Sequence, residues 1–113
     1  MDMPNEVLIG VHVIDEAGYA RYRAEMAPLL EAHGGRFILD VRVTEILRAP
    51  SATAFNRLFT IRFPSARHRE AFFADPDYMA VRSRLFEPSV SEMIRLGDYC
   101  PRDAGSLGTG TGV

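Results

Sequence analysis

Over Glu6–Asp15, "EVLIGVHVID", apolar side chains recur at every second position. Val7, Ile9, Val11 and Val13 share one face of an extended chain, and Leu8, Gly10, His12 and Ile14 the other. The β-branched content predicts a strand, and Asp15 can cap a following helix. From Glu16 to His33 the period changes to three and four. Tyr19, Tyr22, Met26, Leu29 and His33 form one helical stripe. Pro28 falls inside that helix, and Gly34 is placed to end it, since a residue without Cβ enters the left-handed conformation freely.

Alternation returns in "RFILDVRVTEILR", which predicts Phe37, Leu39, Val41 and Val43 on one face against Ile38, Asp40, Arg42 and Thr44. The loop "APSATAFN" leads into "RLFTIRF", a third strand with Phe59, Ile61 and Phe63 together. Pro64 stops it, and Ser65 can cap a helix over Ala66–Ala74. Asp75 and Pro76 restart a helix whose stripe is Tyr78, Val81 and Leu85, as far as Pro88. A fourth strand, "VSEMIRLGDY", sets Ile94 and Leu96 against Met93 and Arg95.

The order β-α-β-β-α-β predicts an α+β, ferredoxin-like domain over residues 1–100: a four-stranded antiparallel sheet with two helices on one face. Residues 101–113 are glycine-rich and are expected to be a disordered tail. The strand face turned from the helices is mixed. It is expected to carry Leu8, His12, Ile14, Ile38, Arg42, Leu58, Thr60, Arg62, Met93 and Arg95. So many large apolar residues among arginines suit a subunit interface, so a homodimer is expected.

Composition narrows the chemistry. A length of 113 residues allows one core, and 47% hydrophobic with 25% charged residues is ordinary for a globular domain. A net charge of -2 offers no basic field for nucleic acid. The apolar run Val7–Ile14 is too short for a bilayer, and "MDMPNE" is unlike a secretory leader, so no membrane partner and a cytoplasmic location are expected. All 13 basic residues are arginine, which removes lysine Schiff-base and P-loop chemistry. His12, His33 and His68 are scattered without ligand spacing, so no metal site and no cofactor are expected.

The blocks "AHGGRF", "RLFTIRFPS" and "AFFADPDYMAVR" resemble a widespread bacterial family of small uncharacterised proteins, a domain-of-unknown-function family in the dimeric α/β-barrel superfamily. The resemblance spans about Val7 to Tyr99. It implies a ferredoxin-like protomer and a dimer whose sheets face each other as a barrel. The superfamily includes cofactor-independent monooxygenases, muconolactone isomerases and haem-dependent chlorite-degrading enzymes, with ligands often held between sheet and helices.

Four residues stand out as candidates. His33 ends the stripe of the first helix, either as a general base reaching a cavity or as a donor to the helix's last carbonyls. Arg36 either caps that helix or clamps an anion. Tyr22 and Tyr78 lie on inward stripes, as core residues or as the wall of an aromatic-binding site. Two functions fit: a cofactor-independent enzyme of oxygenase or isomerase type, acting on a small aromatic or carbonyl compound through His33, or a non-catalytic ligand-binding or structural dimer module.

Overall fold

The computed structural model describes residues 3–102. Strand β1 (Asn5–Val13) leads into helix α1 (Glu16–Ala32), then β2 (Arg36–Arg42), β3 (Arg57–Phe63), α2 (Ala66–Ala74), α3 (Pro76–Val81) and β4 (Val90–Tyr99). Between α3 and β4 the helix widens into a π-helical stretch, Arg82–Phe86, and closes with one turn, Glu87–Ser89. The sheet order is β2-β3-β1-β4, with every neighbouring pair antiparallel. This is the ferredoxin-like fold. Most of the predicted tail, residues 103–113, lies outside the described residues.

The boundaries follow local chemistry. Asp15 accepts from the Gly18 amide at 3.0 Å and caps α1. Gly34 has φ +76°, and the Gly34 and Gly35 amides turn back onto the carbonyls of Glu31 and Leu30 at 2.9 Å. Ser65 caps α2 and Asp75 caps α3, with Pro76 in the first turn.

Val7, Ile9, Val11, Val13, Phe59, Ile61 and Phe63 meet Tyr19, Tyr22, Met26 and Leu30 of α1, Phe72 of α2, and Tyr78, Leu85 and Phe86 of the second helical segment. Leu30 rather than Leu29 completes the buried stripe of α1; Leu29 packs at its edge. Phe72 is fully enclosed, with Phe63 and Tyr78 rings 5.9 and 4.2 Å away.

Strand pairing in β2 and β4 corrects the faces expected from alternation. Phe37 pairs with Ile61, yet Leu39 pairs with Thr60, so a bulge at Ile38 reverses the rest of β2. Leu39 and Val41 therefore share the outer face with Thr60 and Leu58, while Asp40 and Arg42 turn to the helix side with Phe59 and Arg57. In β4, Arg95 pairs with Ile9 and Met93 with Val11, so both also face the helices. The outer face thus loses Arg42, Met93 and Arg95 and gains Leu39, Val41 and Ile94, with Glu92 opposite His12. It is more apolar than strict alternation predicts. The β2–β3 loop folds onto this face: a Cβ at Gly10 would lie 2.8 Å from the Phe55 ring. Beside it the Glu6 carboxylate, 6% exposed, accepts from Arg62 Nε at 2.8 Å and from the Tyr99 hydroxyl at 2.5 Å.

Candidate functional site

A cavity of about 320 Å³ opens between the helix-side face of the sheet and the helices. Its floor is Ile9, Phe59, Ile61 and Met93; its walls are Tyr22 and Met26 of α1, Phe73 of α2, and Tyr78 and Met79 of α3. Arg82, Ser83, Phe86 and Glu87 of the π-helical stretch and its following turn, with Arg95 of β4, complete the lining. The volume suits a small organic molecule, and the lining is mostly apolar with a few polar groups, as in small-ligand sites. The wider π turn is a feature that often accompanies functional sites in helices.

The Tyr22 and Tyr78 hydroxyls are hydrogen-bonded to each other at 2.8 Å, across 56 residues of sequence. One hydrogen bridges the two oxygens. The second hydroxyl hydrogen has no protein acceptor among the described residues. Burial raises the pKa of both groups. For Tyr22 the neighbouring Tyr78 adds to the rise, whereas the hydrogen bond and the Arg82 charge partly offset it at Tyr78. Neither phenol is a base near neutral pH. The pair acts as a neutral donor and acceptor.

Arg82 follows Tyr78 by one helical turn, lies 5.4 Å from the centre of the Phe86 ring, and makes no ion pair among the described residues. Arg95 meets Asp98 only at 3.8 Å. Two guanidinium groups and one carboxylate, Glu87, therefore border the largely apolar cavity, and the excess of one positive charge gives an anionic or carbonyl oxygen a place to end.

Of the four residues singled out from sequence, the structure brings together two. Tyr22 and Tyr78 meet in the cavity. His33 does not line it. Its Nε2 lies 2.8 Å from Asp75 Oδ2, and its ring stands edge-on to Phe72 at 5.8 Å. The imidazole thereby ties the end of α1 to the cap of α3. That contact, with the Asp77 amide second, holds the Asp75 carboxyl below its ordinary range. Arg36 is exposed at the start of β2 and pairs in register with Arg62, which pairs with Glu6, so it belongs to the outer face. Sequence reasoning missed Arg82 and Arg95. The first had a signal, its i, i+4 spacing from Tyr78. The second had none, because its facing depends on the register of β4.

Among the described residues no group of three or more His, Cys, Asp or Glu side chains could hold a metal ion, and no helix is long and apolar enough to cross a membrane.

Comparison with known proteins places this geometry. No curated protein matches the chain. A protein of unknown function from Rhodopseudomonas palustris superposes with a TM-score of 0.76 at 18% identity, over 91% of this chain and 85% of that one. A dimeric ferredoxin-like protein of unknown function from Thermobifida fusca gives a TM-score of 0.61 at 9% identity, over 89% and 93%. A cofactor-independent oxygenase, SnoaB from Streptomyces nogalater, gives 0.57 at 17% identity, over 92% and 97%. At these identities the likeness carries the fold alone. The family model for the domain of unknown function DUF1330 matches residues 7–96, and the chain belongs to that family.

Proposed function

We propose that the protein binds a small, largely apolar molecule, of the size of a substituted aromatic ring, carrying a carboxylate or carbonyl oxygen. The observation that carries this reading is the second hydroxyl hydrogen of the Tyr22–Tyr78 pair, held in an apolar cavity beside the ion-pair-free Arg82. A buried donor without a partner is costly, and a guest's oxygen satisfies it. The apolar floor takes the ring, while Arg82 and Arg95 take the charge. His33 has no part in this reading, because its ring is engaged by Asp75.

The test is thermal unfolding with aromatic carboxylates and their neutral amides. An acid at tenfold its Kd stabilises by about 1.4 kcal/mol, which raises Tm by roughly 5 °C in a domain of this size. The acid is expected to shift Tm in the native protein and not in Arg82→Ala. Equal shifts in both, or none with any acid, would count against the cavity.

Turnover of the bound compound is the second reading. It is favoured by the cofactor-independent oxygenase that shares the fold. Product formation from a cavity-binding acid or ketone, lost in Tyr78→Phe, distinguishes it from binding alone. Homodimerisation through the outer face belongs to both readings. Leu39 and Val41 are 41% and 39% exposed there, and the Thermobifida fusca protein is dimeric. Light scattering at the mass of one protomer would remove this element.

A further inference from the structure

On the other side of Tyr19 from the cavity lies a polar recess formed by Tyr19 and Arg23 of α1, Asp40 of β2 and Arg57 of β3. The Arg42–Glu16 pair, at 2.8 Å, stands at its rim. The arginines are packed against aromatic rings. The Arg23 guanidinium lies 3.9 Å from the centre of the Phe37 ring, and its Nε donates to the Tyr19 hydroxyl at 3.0 Å. The Arg57 guanidinium lies 5.1 Å from the centre of the Tyr19 ring. Their side chains are only 18% and 16% exposed.

The charges in this recess do not cancel. Arg23 takes Asp40 at 2.8 Å, and Arg57 reaches the same carboxylate oxygen only at 3.7 Å. The Arg57 Nε is buried and meets no protein acceptor among the described residues. Two largely buried guanidinium groups thus share one carboxylate, leaving one positive charge over. A buried cation without a full partner is strongly disfavoured, and a guanidinium fork matches the two oxygens of an oxyanion.

We propose that this recess is a second binding site, for a carboxylate or phosphate oxyanion of a small molecule. The outer N–H groups of Arg57 and Arg23 hold the anion, and Asp40 sets the affinity by competing for them. The site stands on residues separate from those of the cavity, so either site can fail without the other.

The probes are inorganic phosphate and acetate, each compared with chloride at equal ionic strength, read by the arginine Nε–H resonances of the full chain. A saturable shift of the Arg57 and Arg23 signals, with Arg67 on the surface of α2 unmoved, is the expected result. A response to phosphate alone assigns a phosphate monoester, to acetate alone a carboxylate, and to both an unselective oxyanion site. Arg57→Gln weakens binding at least about tenfold, as loss of a charge-assisted fork requires. Asp40→Asn tightens it about three- to fivefold by removing the competitor. The second variant carries the test if the first does not fold. The proposal is overturned if neither anion saturates, if both variants bind like the native protein, or if the shifts centre on Arg82 and Arg95.

Discussion

Replacing Tyr22 and Tyr78 by phenylalanine, singly and together, probes the cavity through its hydrogen bonding. Both rings are almost wholly buried, and among the described residues their hydroxyls hydrogen-bond only to each other, at 2.8 Å. Removing either oxygen deletes one hydrogen bond, worth about 1 kcal/mol net, and strands the other hydroxyl in an apolar wall. Each single variant should therefore lose about 1.5 kcal/mol. The double variant strands nothing. It should lose about 2 kcal/mol rather than about 3, a coupling of about 1 kcal/mol. The chain contains no tryptophan, so urea unfolding is best followed by far-ultraviolet circular dichroism, at one fixed protein concentration. Losses that add to within about 0.3 kcal/mol would show that the two hydroxyls do not depend on each other, and the argument for a hydrogen directed at a guest would fall with them.

Other consequences are equally direct. Gly35→Ala places a Cβ against Leu30 and 2.9 Å from Phe63 Cε1, so unfolding in urea should show a loss of about 1–3 kcal/mol from overpacking. The Asp75 carboxyl is held below its ordinary value by His33, so its contribution is present above the unfolded-state pKa and fades as pH falls through the lower folded-state value. Asp75→Asn, which can still cap α3, should be less stable than the native protein at pH 6 and should converge with it below about pH 4; a constant gap would remove His33 as the partner. Burial and the Glu6 carboxylate push Tyr99 up to about 12, and the other three tyrosines are also raised. Ultraviolet titration should find less tyrosinate at pH 10 in the folded protein than in the urea-unfolded chain. Because the folded-state value is the higher, the Tyr99 contribution is complete below about pH 10 and is lost as pH rises through about 12. Tyr99→Phe should flatten that alkaline loss.

Much of the fold was written in periodicity. β1 and β3 alternate cleanly, the stripe of α1 changes period at Asp15, and Asp15, Gly34, Ser65 and Asp75 mark ends that the backbone then uses. What alternation could not show was where a strand loses register. The bulge at Ile38 turns Asp40 toward Arg23, and the pairing of β4 with β1 turns Arg95 into the cavity. In β2 no residue type announces the shift; in β4 Gly97 stands beside one, at the step from the Leu8–Gly97 pair to the Ile9–Arg95 pair, but a glycine alone does not say which way Arg95 turns. Tyr22 and Tyr78 were legible because each falls on a buried helical stripe, although their contact across the core is a tertiary fact. The surroundings of His33 are likewise a tertiary fact. A histidine ending a buried stripe points inward by pattern, but the group that engages it, Asp75, lies 42 residues further along the chain.

The chain has five methionines, and three of them, Met26, Met79 and Met93, line the cavity. Their methyl groups, carbon-13 labelled and followed by NMR during titration with an aromatic carboxylate, read the cavity from floor and wall at once. The account predicts saturable shifts of all three with a common Kd, while the methyl of exposed Met3 holds still. Motionless Met26 and Met93 signals across a broad set of such acids would contradict it.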